Sequence, residues 1–384
     1  MIYIALKMLT GDRGKYFGIL FGLTIASFLI TQQMAIFVGL MTRTYGFITD
    51  SGLADVWVMD PKVQFIDDIK PIQDTQLLRV RGVQGVDWAV PLYKGILKAR
   101  LDNGNFQACN VVGLDDATLI GGPAAMVEGR LEDLRSADGI VVDEDGAAGK
   151  LAKRNSKGMP VPLRVGNSVE LNDHRAVVVG ICRVSRTFQS QPVIYTTYTR
   201  ATTFAPMERK LLSFIQVKAK PGTSPKQLAT RITAKTGLAA YTKPEFEDLT
   251  ISYFMKYTGI PKNFGFAVIL GFLVGTAIAG MMFYNFTLEN LKYFAALKAM
   301  GATNLTLLVM VVVQALLVGG IGFGLGTGAA AIFGKLLGGS ELAFRLPWQV
   351  LLGTAGAIAV ISTFAALLSL WKVVRLEPAV VFKG

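Results

Sequence analysis

The sequence predicts an α-helical membrane protein with four transmembrane helices and a large mixed α+β extracytoplasmic domain between helices 1 and 2. Two observations lead to this fold class. The 384-residue chain is 52% hydrophobic and only 17% charged, with a mean hydropathy of +0.44, whereas a soluble protein of this length carries more charge. The apolar residues are also concentrated in four runs that contain no Lys, Arg, Asp or Glu.

The four apolar runs are long enough to cross a bilayer. They occupy residues 17–41, 264–288, 305–333 and 348–371. Each exceeds the roughly 20 residues that a helix needs to cross about 30 Å of hydrocarbon, and a helix satisfies its own backbone hydrogen bonds, which lipid cannot do. No small-residue cleavage site follows the first run, so we expect it to stay attached as an anchor.

Charge bias predicts the orientation of the chain. Residues 1–16 carry Lys7, Arg13 and Lys15 against one acid, Asp12, and the positive-inside rule places such a segment in the cytoplasm. Its apolar residues share one helical face, which predicts a short amphipathic helix at the membrane surface. Crossing parity then predicts an extracytoplasmic domain over 42–263, a cytoplasmic segment over 289–304, an external loop over 334–347 and a cytoplasmic tail over 372–384. We therefore expect a multi-pass protein of the bacterial inner membrane with both termini in the cytoplasm.

The external segment over 42–263 is large enough for its own core. Runs rich in β-branched residues predict strands over 55–59, 95–100, 106–112, 139–142, 168–171, 176–184, 193–197 and 213–217. Helical patterns fall over 73–80, 144–152 and 224–235. Apolar residues recur every three or four positions from Phe246 to Tyr257, which predicts a helical stalk that is interrupted at Pro261. We expect two subdomains, one from the middle of this segment and one from both of its ends.

The two cysteines, Cys109 and Cys182, each lie in a β-like apolar stretch. Two alternatives are open. The cysteines form a disulfide if the domain faces an oxidising compartment, or they are two buried free thiols. We favour free thiols, because the sequence does not place the two residues within bonding distance.

No catalytic, metal or cofactor site is predicted in this chain. The pattern G-x-x-x-x-G-K-[ST] is absent, so we expect no ATP hydrolysis by the chain itself. His174 is the only histidine, which excludes a zinc site of several histidines; we interpret it as a solvated turn residue. The net charge of +12 is spread along the chain without a basic run flanked by aromatic residues, so no nucleic-acid partner is predicted.

Small residues recur at helical spacing in the third apolar run. The repeats are formed by Gly320, Gly324 and Gly328, and by Gly322 and Gly326. Small residues at this spacing allow helix backbones to approach closely, which predicts a packing face. Gln314 in the same run could hydrogen-bond across helices or line a substrate route, and we favour the first role.

The segment over 289–304 joins the second and third runs. Leu291, Ala295, Leu297 and Lys298 lie within two turns, and Gly301 has the position of a helix C-terminal glycine. The pattern therefore predicts a short cytoplasmic helix that contacts both neighbouring spans. A plain re-entry loop is the alternative, and these residues alone do not decide between the two.

Four segments carry a family resemblance. LKAMGAT at 297–303 closely resembles the LRALGA segment that follows the second span of MacB/FtsX-type ABC transporter permeases, and the order of spans and outer domain matches them. The tail VVRLEPAVVFKG at 373–384 is similar to the family's closing A-x-x-x-P-x-x-A-L segment, with Pro378 in the matching place. LADVWVMDPKVQF at 53–65 and WAVPLYKG at 88–95 resemble the DevC-like branch, typified by the permease of the heterocyst glycolipid exporter.

The resemblance implies the permease subunit of a tripartite-type ABC exporter. Its partners would be a second copy of the chain, a cytoplasmic ABC ATPase dimer that binds ATP, a periplasmic membrane-fusion adaptor, a TolC-like outer-membrane channel and the lipid bilayer. ATP-driven motion would reach the periplasmic domain and expel an amphiphilic substrate such as a glycolipid. The residues implied in ATPase coupling are Leu291, Leu297, Lys298, Met300, Gly301, Ala302 and Thr303. The alternatives are a lipoprotein-releasing permease and an FtsX-like signalling permease that regulates a cell-wall hydrolase.

Overall fold

The structure is a computed structural model that describes residues 7–9, 11, 13–154, 158–206, 211–337 and 342–374. The chain divides into two compact units, one formed by Met1–Leu40 and Gly259–Gly384 and the other by Met41–Thr258. We call them the membrane unit and the outer domain. Much of the predicted surface helix over 1–16 and most of the predicted tail over 372–384 fall outside the described residues, so both stay predictions.

The helices and strands of the described residues are as follows. The α-helices are α1 (Arg13–Asp50), α2 (Thr75–Arg81), α3 (Glu144–Ala148), α4 (Tyr198–Phe204), α5 (Pro225–Thr236), α6 (Lys243–Tyr257), α7 (Ile260–Glu289), α8 (Leu291–Ala299), α9 (Asn304–Leu336) and α10 (Trp348–Val374). The strands are β1 (Val56–Met59), β2 (Val86–Arg100), β3 (Phe106–Leu114), β4 (Ala125–Glu128), β5 (Gly139–Asp143), β6 (Lys153–Arg154), β7 (Pro160–Val161), β8 (Ser168–Leu171), β9 (His174–Arg183), β10 (Val193–Thr197), β11 (Phe214–Ala219) and β12 (Ala239–Thr242).

The membrane unit contains the four helices that are long and apolar enough to cross a bilayer: α1, α7, α9 and α10. Each predicted span lies within one of these helices. The buried residues of α1 recur every three or four positions, as expected for one packed helix face. Its core residues Ile19, Leu23, Ala26 and Ile30 belong to one cluster with Phe283, Val311, Ala315 and Ile358 of the other three helices. The fold class predicted from hydropathy is therefore present.

Helix α1 continues past the predicted end of the first span at residue 41. Its last turns belong to the outer domain, where Ile48 is fully buried in a cluster with Trp57 and Phe246. The Asp50 carboxylate accepts a hydrogen bond from the backbone N–H of Ser185 at 2.7 Å. Protein packing, not lipid, thus extends the helix to Asp50, and hydropathy alone does not reveal such packing.

The outer domain is built on one sheet with the strand order β12-β1-β11-β2-β3-β10-β5-β9-β4, and β8 pairs with β2 and β9. The long strand β2 joins its two halves, because its first part pairs with β11 and its second part with β3. One apolar cluster is formed by the middle of the domain, over 93–205, and another by its two ends, over 56–89 and 212–238. The middle and the two ends of the domain therefore have separate apolar clusters, but one continuous sheet runs through both.

Local sequence misled the strand and helix assignment at several points. β2 begins at Val86, nine residues before the predicted start at 95, since Pro91 interrupts the β signal although it pairs in register with Ile215. The sequence did not predict helix α4. Its residues, with the preceding Thr197, read TYTRATTF and are rich in threonine, which favours a strand.

Two predicted helices end at other residues than expected. The helix predicted over 144–152 ends at Ala148, directly before Gly149. The stalk breaks at Thr258 and Gly259, so that Pro261 stands in the first turn of α7, where its missing N–H removes no helical bond.

Both cysteines are buried free thiols. Cys109 lies on β3 and Cys182 on β9, and β10 and β5 separate these strands in the sheet. Three steps of about 4.8 Å put the strands roughly 14 Å apart, which is beyond the reach of a disulfide. Burial raises the pKa of the Cys109 thiol to about 12, and it raises the pKa of the Cys182 thiol as well.

We therefore expect neither thiol to react with iodoacetamide in the native protein at mildly alkaline pH, because only the thiolate is nucleophilic. Denaturation without reductant is expected to expose two reactive thiols per chain, counted by mass spectrometry. Alkylation that appears only after reduction would instead show a disulfide.

Candidate functional site

The short helix α8 connects the ends of α7 and α9 within the membrane unit. Helix α7 ends at Glu289, and the side chain of Asn290 donates a hydrogen bond to the carbonyl of Phe286 at 2.8 Å. Helix α8 starts at the next residue. Of the two alternatives that the sequence allowed for this segment, a short helix and a plain loop, the structure contains the helix.

The C-terminus of α8 is closed by a glycine turn. Gly301 has a φ of 96°, a conformation that glycine adopts without the steric cost of a side chain. Its N–H donates to the carbonyl of Lys298 at 3.1 Å, and the N–H of Ala302 donates to the carbonyl of Leu297 at 3.0 Å. These two bonds are the Schellman motif, in which an apolar contact usually joins the outer residues. Leu297 and Ala302 both pack against the same apolar cluster, which fits that contact.

Thr303 ends the turn and begins the next span. Its hydroxyl oxygen accepts a hydrogen bond from the backbone N–H of Thr306 at 3.3 Å, which caps α9. Most of the LKAMGAT segment therefore has a conformational role, which is to reverse the chain between two spans.

The predicted coupling residues divide into an inner and an outer group. Leu297 is 7% exposed and lies in the membrane-unit core with Phe294, Phe286 and Leu307. Leu291 and Ala302 are partly buried against the same core. Facing outward are Met300, which is 76% exposed, and also Gly301 and Thr303, while Lys298 is half-buried.

Sequence reasoning missed three outward residues of this surface. Tyr293 and Leu305 are 63% and 70% exposed, and Lys292 is exposed as well. The available signal was spacing, because Tyr293 and Met300 are seven positions apart and therefore share a helix face. We call Lys292, Tyr293, Met300 and Leu305 the outer α8 surface.

An ion pair is formed by Glu289, two residues before the start of α8. The ammonium of Lys15 near the start of α1 contacts the carboxylate of Glu289 at the end of α7. The Glu289 side chain is largely exposed, so the pair adds little stability. It does link the start of α1 to the last residue of α7.

The five predicted packing glycines of α9 also divide into two groups. A Cβ at Gly322 would lie 2.9 Å from the Cβ of Leu23, and a Cβ at Gly326 would lie 2.5 Å from the Cβ of Ser27. At this close approach the Ser27 hydroxyl donates to the carbonyl of Phe323 at 3.2 Å. In contrast, a Cβ built at Gly320, Gly324 or Gly328 has no atom of the described chain within 4 Å apart from the adjoining residues and backbone of its own helix. One glycine face packs on α1 and the other is open.

The described residues show no cluster of His, Cys, Asp and Glu side chains that could hold a metal ion. His174 lies at the start of β9, where its exposed ring is 5.7 Å from the ring of Phe204. Helix α8 thus links two spans, with its inner residues packed in the membrane-unit core and its outer α8 surface exposed.

Two family models match the chain. The MacB-like periplasmic core domain matches residues 17–235, which is more than half of the chain, and the FtsX-like permease C-terminal region matches residues 265–378. The search of curated proteins found no match.

Similar solved structures cover about half of the chain. The extracellular domain of the noncanonic ABC-type transporter YknZ from Gram-positive bacteria is 14% identical, with a TM-score of 0.35, over 50% of this chain and 99% of that one. The periplasmic region of MacB from Actinobacillus actinomycetemcomitans is 15% identical, with a TM-score of 0.37, over 54% of this chain and 95% of that one. Both scores are below 0.5, so the assignment rests on the family models. The chain belongs to the MacB/FtsX family of membrane permease subunits of ABC transporters, with a MacB-like periplasmic core domain and an FtsX-like C-terminal membrane region.

Proposed function

We propose that the chain is the permease subunit of a tripartite-type ABC exporter in the bacterial inner membrane, with both termini in the cytoplasm. It works as a homodimer with a separate ATPase dimer, a membrane-fusion adaptor and a TolC-like outer-membrane channel. Family membership supports the ATPase partner and the membrane context. The open face at Gly320, Gly324 and Gly328 would allow close approach of a second copy.

The two-sided character of α8 carries this proposal. Its inner residues Phe294 and Leu297 belong to one packed cluster with Phe286 of α7 and Leu307 of α9. A displacement of α8 therefore moves both spans, since packed interiors transmit strain. Its outer surface exposes large apolar side chains at Tyr293 and Met300. Exposed apolar patches with polar neighbours mark protein interaction sites.

The cargo that we propose is an amphiphile such as a glycolipid, after the DevC-like resemblance of residues 53–65 and 88–95. Lipoprotein release and FtsX-like signalling are the alternatives. All three functions use an ATPase at α8 and differ in the protein that binds the outer domain. An adaptor with a coiled-coil hairpin encoded beside this chain would support the exporter, and a cell-wall hydrolase would support signalling.

The double substitution Tyr293→Glu and Met300→Glu is expected to weaken binding of the ATPase by at least about tenfold, because two interface anchors become charged. Stimulated ATP hydrolysis should fall in parallel. Both are measured with full-length permease in lipid nanodiscs and a co-expressed ATPase. The matched control is Tyr293→Phe with Met300→Leu, which keeps the apolar surface and should bind normally.

A second control separates docking from folding. Leu297→Glu places a charge in the membrane-unit core, so we expect it to lower the thermal unfolding temperature, which the outer double variant should leave unchanged. Normal ATPase binding and stimulation by the outer double variant would refute the proposed role of this surface.

A further inference from the structure

One part of the outer domain has cations without counter-charges. Helices α2 and α5 and the end of β11 contribute them. We define the α2–α5 patch as Arg79, Arg81, Lys220, Arg231 and Lys235, together with Leu78. Leu78 is 66% exposed although it is apolar. Within the described chain, none of these five cations lies within 4 Å of a carboxylate oxygen.

The patch is held together by bonds to backbone carbonyls. The Arg79 guanidinium donates to the carbonyl of Lys235 at 3.5 Å, and the Arg231 guanidinium donates to the carbonyl of Gln84 at 2.8 Å. The backbone N–H of Lys220 donates to the carbonyl of Gly85, next to Gln84. Carbonyl groups fix the guanidinium groups without neutralising them, so the positive charge remains available at the surface.

Several other cations of this domain, in contrast, have acidic partners. Arg183 pairs with Glu144 at 2.9 Å, Arg186 with Asp145 at 2.6 Å and Lys218 with Asp55 at 2.9 Å. Near the patch, the Asp74 carboxylate accepts a hydrogen bond from the hydroxyl of Tyr198. The exposed Asp87 on β2 forms no ion pair with the described residues.

Repulsion within the patch favours an external counter-charge. Arg231 and Lys235 are four positions apart on α5, a spacing at which like charges destabilise a helix. The Arg79–Lys235 hydrogen bond places a third cation of the patch beside them. An acidic partner would relieve this repulsion, and guanidinium groups suit it because they bind carboxylates with two parallel hydrogen bonds.

The helices of the patch pack on one face of the outer-domain sheet. Val80 of α2 and Ile232 of α5 pack in one cluster with Val56 and Val58 of β1. The end of α1 and helix α6 pack on the opposite face, in the cluster that contains Trp57. The patch therefore lies on the sheet face opposite to α6 and the end of α1.

We infer that the α2–α5 patch is a docking surface for an acidic face of a soluble extracytoplasmic protein. Arg79, Arg231 and Lys235 bind its carboxylates, and the exposed Leu78, next to Arg79 on α2, provides an apolar contact. The inference rests on the proposed function only in so far as that function requires a protein partner at the outer domain.

The first test uses the full chain in nanodiscs of neutral lipid and a fluorescent glutamate-rich peptide, with binding followed by anisotropy at low and high salt. The variant Arg79→Glu, Arg231→Glu and Lys235→Glu should bind about tenfold more weakly, since each substitution replaces an attractive surface contact by a repulsive one. The matched control is Arg100→Glu, Arg130→Glu and Arg183→Glu. It changes the net charge equally at three cations that have ion-pair partners, and should bind normally.

Two outcomes of this test would overturn the inference. Equal losses in the two triple variants would show a general effect of net charge. Binding to phosphatidylglycerol vesicles that only the patch variant abolishes would assign the patch to the membrane.

The second test identifies the protein partner. A photo-crosslinker at Leu78 in cells captures the bound protein, and lysine substitutions in its crosslinked acidic segment should restore binding to the patch variant. Capture without this charge-swap rescue would count against the inference. The Tyr293→Glu, Met300→Glu variant should still bind the peptide, so loss of ATPase docking and loss of patch binding are separate results.

Discussion

Replacement of Gly326 by leucine is expected to disrupt the membrane unit far more than replacement of an outward-facing glycine of α9. A Cβ at this position would lie 2.5 Å from the Ser27 Cβ and 2.5 Å from the Thr24 carbonyl oxygen. The second contact is with backbone, so a side-chain rotation cannot relieve it. Helices α1 and α9 would have to separate, which also breaks the bond between Ser27 and the Phe323 carbonyl. We expect a loss of about 3 kcal/mol in the free energy of unfolding.

Gly324→Leu is the matched control for this prediction. It lies in the same helix and gains the same helix propensity, but a Cβ there meets no other part of the described chain within 4 Å beyond the adjoining residues and backbone of its own helix. Unfolding of the two variants in detergent is followed by circular dichroism, and self-association is measured in the same samples because Gly324 faces outward. Equal stability of the two variants would contradict the α1–α9 contact.

Asp67→Asn is expected to destabilise the outer domain by about 2–4 kcal/mol. The Lys94 side chain is 3% exposed, and its ammonium contacts the Asp67 carboxylate. The ammonium also lies 5.6 Å from the centroid of the Phe47 ring. Loss of one partner leaves a buried charge uncompensated, which costs about 3–5 kcal/mol when both groups are buried. The Asp67 side chain is 34% exposed, so solvent reduces the effect.

A second substitution tests the cause of that loss. Lys94→Met in the Asp67→Asn background removes the uncompensated charge and fills a similar volume with an adaptable apolar side chain. We expect the double variant to regain most of the lost stability in urea unfolding of the full chain. If the two single effects simply add, the ion pair is not the source of the destabilisation.

The coupling segment shows how far sequence reasoning reached at the candidate site. LKAMGAT indicated the family and a helix end at Gly301, and the glycine turn is present. The same motif also drew attention to Leu297 and Ala302, which pack inward. A family motif shows which residue types recur among related sequences. A residue type can recur because it shapes a turn and not because it contacts a partner. Tyr293 and Leu305 lie outside the motif. Spacing pointed to Tyr293, whereas the exposure of Leu305 at the start of α9 was decided by the tertiary structure.

The sequence alone determined the four spans and the large domain between the first two. Each span must meet a length and hydropathy requirement by itself, because lipid offers no polar partner whatever the neighbouring helices are. Only the tertiary structure decided that Gly322 and Gly326 pack on α1 while Gly320, Gly324 and Gly328 remain open. Helical periodicity defines faces of a helix but does not name the neighbour of each face. The same reason explains the α2–α5 patch, whose cations are scattered along the chain and meet only when α2, α5 and the end of β11 pack together.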